Sequence, residues 1–203
     1  VLKKIGLLSD THGFLDPKIK SYFSEVDEIW HAGDIGSIEV LEELKAFKTT
    51  RAVWGNIDNK EIRQETDEFL RFEIEDVTIL MTHIGGKPER YSKPAFHELQ
   101  KNGPPTLFIC GHSHITLVKM DPRFGMLWMN PGACGYKGFH KVKTILRFNI
   151  TKDRIHDLEL IELGKRAWRI RFKFHYTLFA VFELNLSSCL LYTSDAADEG
   201  SSV

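Results

Sequence analysis

The chain has 203 residues, of which 42% are hydrophobic and 27% are charged, and its formal net charge is −1 at pH 7. This composition is ordinary for a soluble globular protein, and the length suits one sizeable core rather than two domains. The near-zero net charge provides no global field that attracts nucleic acid or an anionic membrane, so we expect neither as a partner.

Cysteine usage and apolar runs indicate the compartment. The three cysteines, Cys110, Cys134 and Cys189, are widely spaced and form no CxxC pair, which argues against a disulfide framework and against a cysteine zinc site. The first apolar run, residues 5–8, is too short for a signal peptide, and no stretch of 18 apolar residues occurs. We therefore expect a soluble cytoplasmic protein.

Short apolar runs alternate with helical or loop segments in the first half of the chain. Residues 37–48 are predicted to form a helix, because Ile38, Leu41 and Leu44 recur at helical spacing with acidic residues early and lysines late. The predicted strands of this half are residues 4–8, 28–32 and 52–54.

The later part of the chain is richer in strands. Two hairpins are predicted, one from residues 69–74 and 77–82 and the other from residues 142–150 and 155–163. This order of elements predicts an α/β fold with a mixed sheet or two packed sheets. The remaining predictions are a helix at 95–101, a strand at 107–110, and strands at 116–120 and 126–129 around a turn.

Metal-capable side chains follow five of the predicted strands. In open α/β sheets, ligands gather outside the carboxyl ends of the strands, so we expect these side chains to converge on one place. A mixture of carboxylate, amide oxygen and imidazole suits Mn²⁺, Fe²⁺, Ni²⁺ or Zn²⁺. Seven groups exceed what one catalytic ion needs and suit two ions about 3.5–4 Å apart that share a carboxylate. The seven are Asp10, His12, Asp34, Asn56, His83, His112 and His114.

Five short motifs in order resemble those of a known superfamily. They are Asp-Thr-His at 10–12, Gly-Asp at 33–34, Gly-Asn at 55–56, His83 and Gly-His-Ser-His at 111–114, followed by Asn-Pro-Gly at 130–132. The set is similar to the calcineurin-like metallophosphoesterase superfamily, and more closely to its small bacterial and archaeal phosphodiesterases of the YfcE type. The resemblance covers about residues 1–163 and implies a single-domain, four-layer αββα sandwich.

The resemblance also implies an activity and a set of roles. The expected function is hydrolysis of phosphodiesters, with phosphomonoesters open, by a hydroxide that bridges two divalent ions. Manganese is the first choice of ion, with nickel, iron and zinc open. No side chain is assigned as general acid, the partner is a small phosphoester, and a homo-oligomer is left open. The implied ligands are Asp10, His12 and His114 for one ion and Asn56, His83 and His112 for the other, with Asp34 bridging and Asn56 also contacting the substrate.

The chain departs from the wider superfamily directly after Gly55-Asn56. Many members carry a histidine at that position and use it in the reaction, whereas this chain has Ile57, as the small YfcE-like branch also lacks the histidine. We therefore expect weak activity on substrates with poor leaving groups, with Asp58 as a weak substitute donor. Outside the ligand set, His31 is a candidate for supporting the site and His140 for approaching the substrate.

Two further readings remain open. A retromer subunit shares this fold without a working phosphoesterase centre, so a non-catalytic scaffold is the alternative function. Residues 164–203 read as a tail outside the domain of residues 1–163, either non-native or poorly ordered. Residues 169–176 have two other interpretations, an extra edge strand and a basic strand that binds nucleic acid. For a spurious tail, truncation after Leu163 is expected to leave activity and melting temperature intact.

Overall fold

The computed structural model describes residues 1–166, which are built around two five-stranded sheets. The helices are α1 (Lys18–Tyr22), α2 (Ile38–Phe47), α3 (Lys60–Glu65) and α4 (Lys93–Asn102). The strands are β1 (Leu2–Leu8), β2 (Glu28–His31), β3 (Thr49–Ala52), β4 (Phe69–Ile74), β5 (Val77–Thr82), β6 (Gly86–Lys87), β7 (Arg90–Tyr91), β8 (Leu107–Ile109), β9 (Thr116–Asp121), β10 (Met126–Pro131), β11 (Val142–Thr151) and β12 (Arg154–Lys165).

Parallel pairing brings several strand ends to a common edge. The first sheet has the order β12-β11-β1-β2-β3, in which β1, β2 and β3 run parallel. The second has the order β4-β5-β8-β10-β9, in which β5, β8 and β10 run parallel. The carboxyl ends of parallel strands meet at one edge of a sheet, so the loops that leave them lie side by side.

Three apolar clusters hold the layers together. The first lies between the sheets and includes Ile5 and Leu7 of β1 packed with Ile79 and Met81 of β5. The second covers the outer face of the first sheet with α1, α2 and α3, and the third covers the outer face of the second sheet with α4. These layers form the expected αββα sandwich, and alternate strand residues face opposite layers because side chains alternate across a strand.

Most predicted elements are confirmed, with one clear error. Both predicted hairpins form, 69–74 against 77–82 and β11 against β12, and the helix predicted at 37–48 spans Ile38–Phe47. The strand predicted at 52–54 is placed too late, since β3 spans Thr49–Ala52 and Val53 makes only an isolated bridge with Asp67. Polar Thr-Thr-Arg is tolerated there because β3 is an edge strand of its sheet. The short helices α1 and α3 and the two-residue strands β6 and β7 were not predicted.

The end of the described chain still makes contacts. Lys165 pairs with Val142 in the β11–β12 ladder. Arg166 donates from Nε to the carbonyl of His140 (2.9 Å) and from Nη1 to that of Tyr136 (3.2 Å). The predicted tail of residues 164–203 falls outside the described part from residue 167 onwards, so its being non-native stays a prediction. Within residues 1–166, no helix is long and apolar enough to cross a membrane.

These contacts change the expectation for truncation. A chain ending at Arg166 is expected to keep the melting temperature of the full chain, whereas a chain ending at Leu163 is expected to melt lower, because it loses the last ladder pairs and both Arg166 side-chain bonds. Circular dichroism melts of the three chains make the comparison. A lower melting temperature for the chain ending at Arg166 contradicts the prediction, since it would mean that later residues support the fold.

Candidate metal centre

Six of the seven predicted ligands lie in two clusters at the carboxyl edges of the sheets. One cluster contains Asp10, His12 and His114, and the other contains Asp34, His83 and His112, and within each cluster one ligand atom per residue lies within 4.8 Å of the others. The first sheet supplies both aspartates and His12, and the second supplies the other three histidines. The site therefore forms only where the two sheets meet.

Asp10 is the centre of the first cluster. Its Oδ1 lies 3.1 Å from His114 Nε2 and 3.9 Å from His12 Nε2, and these two imidazole nitrogens are 3.3 Å apart. Asp10 Oδ2 accepts a hydrogen bond from the N–H of His112 (3.2 Å), so only Oδ1 faces the cluster. The aspartate is fully buried, whereas both histidines are partly exposed, so the cluster opens to solvent on one side.

The two oxygens of Asp34 face different clusters. Oδ1 lies 3.2 Å from His83 Nε2, and Oδ2 lies 3.9 Å from His12 Nε2. Oδ1 also accepts from the N–H of Ile57 (3.2 Å), which fixes the carboxylate against the loop after β3. Asp34 therefore has one carboxylate oxygen near a histidine of each cluster.

The buried atoms of the site fit divalent cations. Among residues 1–166, Asp10 Oδ1 and His83 Nε2 are buried without a hydrogen-bond partner. Buried polar atoms are normally paired, so an acceptor and a ring nitrogen left bare at the same place indicate a ligand that bonds to both. His83 Nδ1 contacts the carbonyl of Ala32 (2.7 Å). A carbonyl can only accept, so Nδ1 donates and Nε2 keeps its lone pair for a metal.

Neighbouring groups shift the pKa values of the site in both directions. Burial by itself lowers the pKa of His83, but contacts with the Asp34 and Asp10 carboxylates outweigh it and raise the pKa above its usual range. Burial lowers the pKa of His12 and of His112 below the ordinary value, which keeps these imidazoles neutral. Burial by itself raises the pKa of Asp34, but contacts with His83 and the Ile57 N–H outweigh it and hold the pKa below its usual range. Ionised carboxylate and neutral imidazole are the forms that bind metals.

Asn56 and its neighbours come from the loop after β3. Gly55 packs so tightly that a Cβ there would lie 2.1 Å from Asp34 Oδ1, so only glycine allows the loop to pass. Asn56 follows it with an exposed side chain, and Ile57 is 46% exposed. Asp58 points inward and accepts hydrogen bonds from the N–H groups of Gly55 (2.7 Å), Gly36 (2.7 Å) and Ile35 (3.1 Å). These bonds occupy both carboxylate oxygens and join the loops after β2 and β3, so Asp58 is not the substitute proton donor.

His31 connects two loops of the site through hydrogen bonds, in the supporting role that the sequence suggested. The N–H of Gly33 donates to His31 Nδ1 (3.1 Å), so Nε2 carries the ring proton and donates to Thr11 Oγ1 (2.9 Å). The Thr11 hydroxyl in turn donates to the carbonyl of Ile35 (2.9 Å). The chain of bonds fixes the loop that carries Asp10 against the loop that carries Asp34.

Two supporting roles were not predicted. Asn130, in the Asn-Pro-Gly motif, donates from Nδ2 to the carbonyl of Gly111 (2.7 Å) and accepts at Oδ1 from the N–H of Gly132 (2.8 Å), so it positions the Gly-His-Ser-His loop. The motif itself was the signal for this role. His140 was expected near the substrate, but its Nδ1 lies 3.3 Å from Nδ1 of His114.

Cys110 is fully buried, and burial raises its thiol pKa, so it is a core side chain and no nucleophile.

Comparison with known proteins decides the family. The calcineurin-like phosphoesterase superfamily domain matches residues 4–153. The chain belongs to this superfamily. A probable metallophosphoesterase of Methanocaldococcus jannaschii is 34% identical over 134 residues, which cover 64% of this chain and 67% of that protein. Calcineurin-like phosphoesterases are metal-dependent hydrolases, and the two ligand clusters agree with that chemistry.

Solved structures show the same fold. An archaeal phosphodiesterase is 26% identical, with a TM-score of 0.61 over 79% of this chain and 99% of that one. Vps29 from Entamoeba histolytica, crystallised with Zn²⁺, is 15% identical, with a TM-score of 0.61 over 79% of this chain and 98% of that one. At that identity, the Vps29 likeness concerns the fold alone.

The buried His31 predicts a pH dependence of stability. Burial lowers the pKa of His31 from 6.5 to about 4, so the unfolded chain takes up a proton at a pH where native His31 stays neutral. The free energy of unfolding is therefore complete above about pH 6.5 and falls as the pH drops towards 4. The loss reaches about 3 kcal/mol, at about 1.4 kcal/mol per pKa unit.

Urea unfolding between about pH 7 and pH 4 measures this effect against His31→Gln, which keeps an amide for hydrogen bonding but does not titrate. We expect a shallower pH dependence in the variant, and the difference isolates His31 from the other histidines. Equal slopes for the two proteins would show that His31 titrates alike in the folded and unfolded states.

Proposed function

We propose that the protein hydrolyses phosphodiesters with two divalent metal ions, manganese being the first choice. The observation that carries the proposal is the pair of neighbouring ligand clusters with one oxygen of Asp34 facing each. In this proposal Asp10, His12 and His114 hold one ion, and His83, His112 and Asn56 hold the other. Two cations bound there lower the pKa of water and neutralise charge that builds on the phosphoryl oxygens.

The protein's own groups determine how the substrate sits. The buried aspartates fix the base of the site, while exposed Asn56 and His112 lie at its mouth, where a phosphate oxygen can reach them. A recess of about 110 Å³ adjoins Asn56 and His83, and we place the organic group of the ester in it because its lining is mainly apolar. The apolar lining comes from Trp54, Phe69, Ile84 and Pro94.

The leaving group receives no proton from residue 57, the position at which many members of the superfamily have a histidine. Ile57 has no proton to give, and Asp58 is occupied by three backbone N–H groups. Esters whose alcohols are good leaving groups need no protonation in the transition state, whereas alkyl alkoxides do. The site therefore favours aryl esters, which also match the apolar recess.

A non-catalytic scaffold of the same fold is the alternative function, and we retain it because the chain shares its fold with Vps29. The ligand set argues for the enzyme, because all seven side chains are present in this sequence and six already lie in the two clusters. A buried aspartate with an unpaired oxygen, such as Asp10 with its Oδ1, is costly in a protein that binds no cation.

Metal restoration tests the proposed function. The protein stripped with chelator is expected to be inactive on bis(4-nitrophenyl) phosphate and to regain activity with Mn²⁺, in comparison with Ni²⁺, Zn²⁺ and Mg²⁺. Asp34→Asn is expected to lower kcat/KM by about 100-fold or more, because it removes the charge shared by both clusters. Asp153→Asn, the same change in the exposed β11–β12 turn, should leave kcat/KM unchanged. Inactivity with every ion in a folded protein favours the scaffold.

Leaving-group dependence tests the lack of a proton donor. Across a series of methyl aryl and methyl alkyl phosphodiesters, kcat is expected to fall steeply as the pKa of the leaving alcohol rises, with the alkyl esters slowest. Steady-state kinetics with the metal-loaded protein give the slope. Equal rates for aryl and alkyl esters would mean that another group donates the proton.

A further inference from the structure

The loop of residues 135–140, which follows β10, packs directly against His114. A Cβ on Gly138, whose φ is +119°, would lie 1.8 Å from His114 Nδ1, so only glycine fits there. The rings of His114 and His140 meet edge to face, with centroids 5.2 Å apart and an interplanar angle of 74°. His140 is thus in contact with a predicted metal ligand rather than with the substrate space.

Hydrogen-bond chemistry assigns the protons of the two rings. His140 Nε2 lies 3.0 Å from the carbonyl of Gly135, which can only accept, so Nε2 carries the proton. In a neutral imidazole the other nitrogen is then an acceptor. His140 Nδ1 faces His114 Nδ1 at 3.3 Å, so His114 Nδ1 is the donor. The lone pair of His114 is left on Nε2, the atom that lies 3.1 Å from Asp10 Oδ1.

We propose that His140 is a positioning residue that selects the tautomer of His114 and aims its Nε2 lone pair into the first ligand cluster. The proposal rests on the proposed metal centre and adds a residue outside the seven predicted ligands. Metal-binding histidines usually donate their second ring N–H to a carboxylate, a carbonyl or water, and such partners tune metal affinity. His83 follows that rule through the carbonyl of Ala32, whereas His114 uses a second imidazole.

The loop that carries His140 is itself anchored. Arg166 donates to the carbonyls of Tyr136 and His140, near the two ends of the loop. Gly135 is tied to the β1 end through its N–H, which donates to the carbonyl of Asp10 (3.0 Å). The acceptor for His140 is therefore held by the same residue that supplies the central carboxylate of the cluster, so the ring has little freedom to turn away.

Metal binding by variants of His140 tests the proposal. His140→Phe keeps a planar ring but has no acceptor, and His140→Gln carries an amide that can both accept and donate. His97→Phe, the same change at an exposed position of α4, is the matched control. Titration calorimetry with Mn²⁺ gives the affinity of each site, and the absorption spectrum of the Co²⁺-loaded protein reports the coordination of each ion.

In His140→Phe, one Mn²⁺ site is expected to weaken by about 10- to 100-fold, with the other site and the melting temperature unchanged. His140→Gln and His97→Phe should stay near wild type, and one component of the Co²⁺ spectrum should change only in His140→Phe. His140→Ala replaces the phenylalanine variant if that variant melts early.

Two results overturn the proposal. The first is wild-type Mn²⁺ affinity at both sites of His140→Phe. The second is an equal loss in His140→Gln, which would assign the effect to ring packing rather than to hydrogen bonding. A wild-type protein that binds no Mn²⁺, Co²⁺ or Zn²⁺ would instead refute the proposed function itself.

Discussion

A left-handed backbone at the ends of the strands is the constraint on which the site depends. Five of the seven predicted ligands have positive φ angles between 50° and 67°, a region that side-chain-bearing residues seldom occupy and that costs roughly 1–2 kcal/mol each. Hydrogen bonds between neighbouring loops maintain this conformation, among them Asp10 N–H to the Gly33 carbonyl and His12 N–H to the Asp34 carbonyl, both 3.0 Å. The five residues are Asp10, His12, Asp34, His112 and His114.

That strained edge is also where the two sheets meet. The carboxylates of Asp10 and Asp34 come from the first sheet and are buried, and the imidazoles that face them include His83 from the second sheet. Cations bound between them would join the sheets, because each cluster draws ligands from both. The energy stored in the backbone and in the buried charges is then offset by binding, which links the stability of the fold to occupancy of the site.

Side chains that touch no cation hold this arrangement in place. Asp58 collects three backbone N–H groups from two loops, His31 connects the loops after β1 and β2, and Asn130 positions the loop of the last two ligands. His140 contacts the ring of a predicted ligand directly, through the hydrogen bond to His114 Nδ1. Each bond satisfies a polar group that would otherwise be buried unpaired, so the support of the site and the stability of the fold rest on the same contacts.

The sequence by itself predicted the candidate ligands and most of the strands, because apolar runs that end in metal-capable residues are local patterns. It placed β3 too late, since an edge strand can be as polar as Thr-Thr-Arg, and it overlooked the five-residue α1, which is too short to show helical periodicity. Only the tertiary structure decided the roles of Asp58 and His140. Asp58 is a carboxylate whether it donates a proton or anchors a loop, and His140 lies 26 residues from the ring that it contacts. Both roles depend on which atoms the packed loops bring within hydrogen-bond distance, and chain spacing does not encode that.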